Sequence, residues 1–225
     1  MSADVAQLQL VLFDLDGTLV ETGPEICDAV NGTLKSLQLP PASLEQVEDW
    51  IGHGTETLLL QALACATGTP VASIRGSRLW RAAHPLFAGE YERRCGTTSR
   101  LYPQAREVLA ALGERGVHRA LVTNKEQRFT QPVLRRHGLR RLLDRVVCGD
   151  TLPTKKPDPC GVHDCLRAFG VDASRALFIG DSSIDVATAR NAGVTVWALT
   201  HGYNMGEPIA AAQPDRVLAG LGEIL

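Results

Sequence analysis

The chain of 225 residues is poor in aromatic side chains and lacks any long hydrophobic run. Phe, Trp and Tyr together make up 5% of its residues, which disfavours a protein that stacks nucleic-acid bases on aromatic rings. No apolar run approaches the roughly 20 residues that cross a bilayer. The N-terminal stretch also lacks a basic start and a cleavage site after an apolar segment. We therefore expect no membrane partner and a cytoplasmic location.

The sequence has no excess of either charge. Lys and Arg number 23 and Asp and Glu number 25, so the net charge is −2 with neutral histidines. A dedicated nucleic-acid binder usually carries a basic excess, and we expect no nucleic-acid partner. The local basic stretch at residues 135–141 is better explained as a solvated helix end than as an anion site.

The six cysteines form no CxxC pair. A chain of this length buries roughly 70% of its unfolded surface without disulfides, so we interpret the cysteines as reduced thiols. Cys160, His163 and Cys165 lie close in sequence, but no second ligand pair at matching spacing accompanies them. A tetrahedral zinc site needs such a pair, and we do not expect one here.

What the sequence does contain is an alternation of short apolar runs with segments of helical spacing. The runs are continuously apolar, as in strands buried on both faces of a parallel sheet. Most of the helical segments stop at a glycine that can supply a left-handed cap. This alternation predicts an α/β fold with a parallel sheet and helices on both faces. The predicted strands are residues 8–13, 120–122, 146–148, 176–179 and 194–199, and the predicted helices are residues 103–115, 127–137, 159–169 and 183–192.

Residues 20–97 interrupt the alternation. They contain no convincing strand, and an all-helical block after the first strand predicts an insertion into the α/β core. The turn at residues 96–99 is expected to lead back to the sheet. We therefore divide the chain into a core of residues 1–19 and 98–225 and a helical insertion of residues 20–97. The predicted helices of the insertion are residues 25–37, 44–50, 56–66 and 74–95.

Two pairs of acidic residues follow predicted strands. Asp14 and Asp16 come after the first strand, and Asp181 and Asp185 come after the fourth. Ligands of open α/β sheets bind beyond the carboxyl ends of strands, and residues two apart on an extended chain point to the same side. Four carboxylates gathered there require a counter-charge, and Mg²⁺ prefers oxygen ligands. Taken alone, Asp181 would be more safely interpreted as the cap of the following helix.

Hydrogen-bond donors follow further strands. The hydroxyl, amide and backbone N–H groups of Thr123-Asn124-Lys125 suit phosphate oxygens. Lys156 precedes a proline, which favours an extended backbone at that position. Taken singly, each is an ordinary turn or surface lysine. Together with the acidic pairs, they predict a phosphate site at one edge of the sheet.

The order of these four motifs resembles that of the haloacid dehalogenase-like hydrolase superfamily, and the resemblance extends over nearly the whole chain. It implies a Rossmann-like parallel-sheet core in which residues 20–97 form a helical cap that determines substrate specificity. It also implies that Asp14 is the nucleophile that forms an aspartyl-phosphate. Asp16 would protonate the leaving oxygen and then act as the base toward water. Dehalogenating members lack an acid at this second position, so Asp16 favours phosphoryl transfer.

The resemblance implies a ligand set as well. The Asp14 and Asp181 side chains and the backbone carbonyl of Asp16 would hold Mg²⁺, and Asp185 would support the metal shell or Lys156. Thr123 and Lys156 would bind the transferring phosphoryl group. From the donors of its motif, Asn124 is predicted to bind phosphate with them.

Three segments are similar to bacterial phosphoglycolate phosphatases: residues 30–40, the loop at residues 51–54, and residues 201–208. In the cap loop, Gly52 and Gly54 permit close approach to the site, and His53 can donate a hydrogen bond to a substrate. The alternative for this loop is a simple interhelical turn. One departure is Gly23, since relatives more often have Ala or Val before the proline.

The sequence therefore predicts a Mg²⁺-dependent phosphatase of a small phosphorylated metabolite, foremost 2-phosphoglycolate. Another sugar phosphate or an amino-sugar phosphate would keep the same chemistry. A phosphomutase of the β-phosphoglucomutase type would need cap groups that hold a bisphosphate, and the cap loop is short of Lys and Arg. A non-catalytic binding protein on the same fold would be expected to have lost Asp14, Asp16 or Lys156. A monomer and a homodimer are both compatible with the sequence.

Overall fold

The core is a parallel sheet of six strands in the order β5-β4-β1-β6-β7-β8, and the expected α/β fold class is confirmed. A computed structural model describes residues 7–225, so the first six residues of the predicted core lie outside the described part. The strands of the sheet are β1 (Leu10–Phe13), β4 (His118–Val122), β5 (Arg145–Val147), β6 (Ala176–Gly180), β7 (Thr195–Leu199) and β8 (Arg216–Leu218).

Strand β1 occupies the centre of the sheet because it pairs in parallel with both β4 and β6. The chain runs outward from β1 through β4 to β5 and then crosses back to β6. The strand order therefore reverses between β1 and β6. A reversal of this kind leaves a crevice at the carboxyl ends of the two strands, where ligands of such sheets bind.

The apolar pattern of β1 explains this central position. Leu10 and Leu12 belong to one buried apolar cluster, and Val11 and Phe13 belong to the other. Alternate side chains of a strand point to opposite faces, so all four residues are fully buried. One face is covered by α6 (Ala105–Glu114) and α7 (Gln127–Arg136), and the other by α8 (Cys160–Phe169) and α9 (Ser183–Asn191).

Five helices lie between β1 and α6 in the sequence. Their apolar residues continue the cluster on the α6–α7 face, with Val30, Phe87 and Tyr91 among its buried members. Within the described residues no helix is long and apolar enough to cross a membrane. These helices are α1 (Gly23–Ser36), α2 (Leu44–Trp50), α3 (Thr55–Thr67), α4 (Val71–Ile74) and α5 (Arg78–Arg94).

The expectation of no strand within residues 20–97 is wrong at its start. Strand β2 (Val20–Glu21) pairs antiparallel with β3 (Arg100–Leu101), so a two-stranded ribbon closes the base of the helical block. Each strand has two residues, too few to show a period, and the partners are far apart in sequence. Strand β8 also escaped prediction, because its three residues are mostly exposed and carry no apolar run.

The predicted helix at residues 74–95 is two helices. Helix α4 ends at Ile74, and α5 begins at Arg78 after Ser77, whose side chain accepts a hydrogen bond from the Trp80 backbone N–H. Between them Gly76 has a φ of 75°, a left-handed conformation that favours glycine. The other predicted elements agree with the structure to within two residues at each end.

Candidate active site

The predicted motifs meet at the carboxyl edge of the sheet. Asp14 directly follows β1, and its backbone N–H donates to the Ile179 carbonyl of β6 at 3.0 Å. Asp181 directly follows β6, and Thr123 directly follows β4. Because β4 and β6 are the two neighbours of β1, these side chains line one cavity together with Asp16 and Asn124.

Three buried carboxylates form a cluster within this edge. Asp14, Asp181 and Asp185 each offer an oxygen, and these oxygens lie within 4.8 Å of one another. Burial is the main cause that raises the pKa of Asp14 to about 6, and the nearby Asp185 and Asp16 carboxylates add to it. Burial and the same crowding hold the pKa of Asp181 well above its usual range. The protein alone thus stabilises the ionised forms of these carboxyl groups poorly, and a cation bound there would offset their charge.

Lys156 supplies a positive charge beside two of these carboxylates. Its Nζ lies 2.7 Å from Asp185 Oδ1 and 2.9 Å from Asp14 Oδ1, although the latter pair is not aligned as a hydrogen bond. These carboxylates raise the pKa of Lys156 against the opposing effect of its burial. Lys156 is therefore a buried ammonium ion held beside the predicted nucleophile.

Asp185 orients the loop that carries Asp181. Its Oδ2 accepts hydrogen bonds from the Asp181 and Ser182 backbone N–H groups at 3.2 and 3.1 Å and from the Ser182 hydroxyl at 2.8 Å. Ser182, and not Asp181, is the N-cap of α9. The helix-cap explanation of Asp181 is therefore wrong, and its carboxylate is available to the cluster.

The Asp181 carboxylate is fixed by groups that are distant in sequence. The Thr18 hydroxyl donates to Oδ1, and the Tyr203 backbone N–H donates to Oδ2 at 2.7 Å. A Cβ at Gly17 or Gly202 would lie 2.2 or 2.4 Å from Asp181 Oδ2. Both glycines therefore make room for the carboxylate, and both have positive φ values.

Asp16 faces a different set of partners. Strand β1 ends at Phe13, so the extended geometry that would bring the Asp14 and Asp16 side chains together does not continue. The Asp16 Oδ1 instead accepts from Lys125 Nζ at 2.5 Å and from the Thr22 hydroxyl at 2.7 Å. Lys125 belongs to the predicted Thr123-Asn124-Lys125 motif, but its contact with Asp16 was not predicted from the sequence.

The Asn124 side chain joins two loops. Its Nδ2 donates to the Gly52 carbonyl at 2.8 Å and to the Lys156 carbonyl at 3.0 Å. Both amide hydrogens are therefore engaged with main-chain oxygens. A part for Asn124 in phosphate binding remains a prediction, and it would use the backbone N–H.

The cap loop approaches the core through its main chain. Gly52 and Gly54 line the cavity, whereas His53 is exposed and its carbonyl accepts from Lys155 Nζ at 2.8 Å. A Cβ at Gly54 would lie 3.2 Å from the Asn124 carbonyl oxygen, so this close approach requires a glycine. Contact between His53 and a substrate remains a prediction.

Tyr203 connects the late segment at residues 201–208 to the base of the helical block. Besides its backbone bond to Asp181, its hydroxyl accepts a hydrogen bond from the Gly23 backbone N–H at 2.7 Å. A Cβ at Gly23 would lie 2.9 Å from the Tyr203 Oη. The glycine at position 23, where relatives more often have Ala or Val, therefore leaves room for this contact. Only the similarity of the segment to phosphoglycolate phosphatases pointed to Tyr203 in the sequence.

The chain belongs to the haloacid dehalogenase-like hydrolase family, whose model matches residues 11–199. Two similar proteins are phosphoglycolate phosphatase 1 of Pseudomonas aeruginosa and the phosphoglycolate phosphatase of Vibrio parahaemolyticus. The first is 41% identical over 217 residues, which cover 96% of this chain and 78% of that protein. The second is 37% identical over 218 residues, which cover 97% and 95%.

A similar crystal structure is that of a predicted phosphoglycolate phosphatase from Haemophilus somnus. It has a TM-score of 0.91 and 35% identity, and the match covers 97% of this chain and 96% of that chain. The resemblance to the superfamily and to phosphoglycolate phosphatases is thereby confirmed. With these relatives, the chain is an enzyme that hydrolyses phosphoric monoesters.

Proposed function

We propose that this enzyme hydrolyses 2-phosphoglycolate to glycolate and inorganic phosphate, and that it requires Mg²⁺. The observation that carries the proposal is the position of Asp14. Its carboxylate stands at the end of β1, 2.9 Å from Lys156 Nζ and within the buried cluster with Asp181 and Asp185. The names of the similar proteins support the choice of substrate.

The residues of the cluster fit a hard divalent cation. Oxygen is the donor atom that Mg²⁺ prefers, and the cluster offers three buried carboxylates. Four acidic side chains at the site, Asp14, Asp16, Asp181 and Asp185, face the two ammonium groups of Lys125 and Lys156.

The proposed ligands are the Asp14 and Asp181 side chains and the Asp16 backbone carbonyl, and Asp185 supports them through Lys156 and the loop at Asp181. When bound, the ion neutralises the carboxylates and attracts the phosphoryl oxygens.

In the first step, an Asp14 carboxylate oxygen attacks phosphorus. The new bond joins that oxygen to phosphorus, and the bond between phosphorus and the substrate oxygen breaks. Asp16 gives its proton to the departing oxygen, so the alcohol leaves neutral. Lys156 and the Thr123 hydroxyl bind the equatorial oxygens and offset the charge that develops on them.

In the second step, water completes the turnover. Asp16 takes a proton from the water, whose oxygen attacks phosphorus. The bond between Asp14 and phosphorus then breaks, which releases inorganic phosphate and restores the Asp14 carboxylate. Asp16 ends the cycle protonated, as the first step requires.

We assign helices α1–α5 to the cap. The proposed boundaries of the cap, residues 20–97, fall close to the ribbon of β2 and β3. The Gly52–Asn124 and His53–Lys155 hydrogen bonds hold the cap loop over the cavity. We expect this cover to exclude bulk water while Asp14 carries the phosphoryl group.

The test measures phosphate release from 2-phosphoglycolate by purified protein, with Mg²⁺ and with a chelator. We expect turnover only with Mg²⁺, and we expect Asp14→Asn to lower kcat by about 10⁴-fold or more, as removal of a nucleophile does. Asp28→Asn is the matched control, because Asp28 is an exposed carboxylate of α1. Undiminished turnover by the Asp14→Asn protein would contradict the mechanism.

A panel of small phosphomonoesters tests the choice of substrate. We expect 2-phosphoglycolate to give the highest kcat/KM. Preference by orders of magnitude for a sugar phosphate or amino-sugar phosphate would contradict the substrate and leave the phosphatase mechanism in place.

A further inference from the structure

Lys125 is a buried cation inside the active-site cavity to which the proposed mechanism gives no task. Among the described residues that line this cavity, it is the one with a positive charge. Its side chain is 2% exposed, and its Nζ lies 5.0 Å from the centre of the Tyr91 ring. An ammonium has three donor hydrogens, yet within residues 7–225 its one hydrogen bond is to Asp16.

Tyr91 brings a second unused polar group to the same place. It belongs to α5 and is fully buried, and it lines the cavity with Lys125. Its hydroxyl has no hydrogen-bond partner in the part of the chain that the structure describes. A buried hydroxyl without a partner is costly, so this group is suited to a ligand that enters the cavity.

We propose that Lys125 Nζ and Tyr91 Oη bind the carboxylate of the substrate, at the end that is not transferred. The inference rests on the proposed phosphatase function and deepens it, because it names the substrate class as short phosphorylated hydroxy acids. A buried carboxylate requires a cation and hydrogen-bond donors, and this pair supplies both.

The position of Lys125 limits the length of the substrate. Lys125 contacts Asp16 at 2.5 Å, and Asp16 is the group that protonates the leaving oxygen in the proposed mechanism. A carboxylate bound at Lys125 therefore lies close to that oxygen. One carbon separates the oxygen from the carboxylate in 2-phosphoglycolate, which satisfies this requirement.

The apolar side chains that line the cavity disfavour sugars. The side chains that the cap presents there include Ile26, Ile51 and Leu58, all of which are buried. These side chains offer no partner for hydroxyl groups, and leaving a sugar hydroxyl unpaired against them would cost affinity. The cavity thus combines one anion subsite with an apolar wall.

The experiment compares two substrates that differ at one group. One is 2-phosphoglycolate, and the other is 2-hydroxyethyl phosphate, in which a neutral CH₂OH replaces the carboxylate. Lys125→Met should lower kcat/KM for 2-phosphoglycolate about 10- to 100-fold more than for 2-hydroxyethyl phosphate, as expected for a lost hydrogen bond to a charged group. Any decrease in kcat/KM that is the same for both substrates reports the effect of the lost Lys125–Asp16 contact.

Two further variants complete the test. Lys155→Met removes a neighbouring positive charge that does not line the cavity, so the ratio between the two substrates should stay at the wild-type value. Tyr91→Phe removes one oxygen. It should lower kcat/KM about 5-fold for 2-phosphoglycolate and leave kcat/KM for 2-hydroxyethyl phosphate unchanged. If the Lys125→Met protein does not fold, the Tyr91→Phe variant alone tests whether the subsite binds the carboxylate.

Equal losses on both substrates in Lys125→Met, or in Tyr91→Phe, would overturn the subsite and leave the phosphatase function standing. Wild-type protein that hydrolyses both substrates equally well would do the same. Wild-type protein that releases phosphate from neither substrate would overturn the proposed function, and the subsite with it.

Discussion

The two sides of the cavity present different chemistry to a ligand. The core side carries charged groups that are paired with one another, such as Lys125 with Asp16. The cap side carries the apolar side chains of Ile26 and Leu58 and the unpaired hydroxyl of Tyr91. In the proposed function, bond making and breaking belong to the core, whereas the cap limits substrate size and excludes water. Changes in the core other than at Lys125 should act mainly on turnover, and changes at Lys125 or in the cap should act mainly on selectivity.

After loss of the nucleophile Asp14, the largest effect is expected at Lys156 on the core side. Lys156→Met removes the cation beside Asp14 and should lower kcat/KM by about 1,000-fold or more. It also leaves the Asp14 and Asp185 carboxylates unpaired, so the free energy of unfolding should fall by about 3 kcal/mol without Mg²⁺. Steady-state kinetics and denaturant unfolding measure the two effects.

Lys155→Met is the matched control for that variant. Lys155 is the preceding residue, and its Nζ binds the His53 carbonyl at the exposed cap loop. We expect a loss in kcat/KM of less than about tenfold. Equal losses in the two variants would show that Lys156 has no special part in the chemistry.

A glycine on the core side should set the affinity for metal. Gly202→Ala places a Cβ 2.4 Å from Asp181 Oδ2 at a φ of 109°, so the carboxylate must move. We expect the Mg²⁺ concentration for half-maximal activity to rise about 10- to 100-fold. Gly220→Ala is the control, since nothing lies within 4 Å of the added Cβ. An unchanged Mg²⁺ requirement in Gly202→Ala would argue against Asp181 as a ligand.

The pH dependence of stability tests the electrostatics of the core without substrate. Burial raises the pKa of Asp14 from 3.8 to about 6, so the folded metal-free protein binds this proton more tightly than the unfolded chain. The Asp14 contribution to stability is therefore largest below pH 3.8 and is lost as the pH rises through about 6.

The measurement compares wild type with Asp14→Asn by denaturant unfolding in a chelator. The variant should gain about 2 kcal/mol relative to wild type between pH 4 and pH 7. Added Mg²⁺ should stabilise the wild type at pH 7 and reduce this difference. A difference that does not change with pH would contradict a raised pKa at Asp14.

Much of the site could be predicted from the sequence because apolar runs mark where strands end. Asp14, Thr123 and Asp181 follow such runs, and the parallel sheet then brings them to one edge. The partner of Asp16 could not be predicted in this way. Beyond the end of β1 the direction of a side chain depends on the turn at Gly17 and on packing against Lys125, which is remote in sequence.

The same limit applies to the fold. The helical block was visible from its spacing, but the β2–β3 ribbon at its base has two residues per strand and long-range partners. The contact of Tyr203 with Asp181 and Gly23 also joins distant segments. Local patterns carry no information on such contacts, whereas they do report strand ends and helix caps.

The smallest expected effect lies in the cap loop. The His53 side chain is exposed and the loop contacts the core through its main chain, so His53→Ala should lower kcat/KM less than about threefold, in the range of ordinary surface substitutions. Gly54→Val strains a backbone with a φ of 90° and crowds the Asn124 carbonyl. It should therefore lower kcat/KM more than His53→Ala does. A loss above about tenfold in His53→Ala would instead support contact between the ring and the substrate.

The transfer of the phosphoryl group to Asp14 can be measured most directly by quenching a single turnover with ³²P-labelled 2-phosphoglycolate in acid. Wild-type protein quenched early in that turnover should carry the label, because water has not yet released the phosphoryl group. The proposed mechanism predicts label on Asp14 that hydroxylamine releases, as expected for an acyl phosphate. Release of inorganic phosphate during that turnover with no label on Asp14 at any time would contradict it.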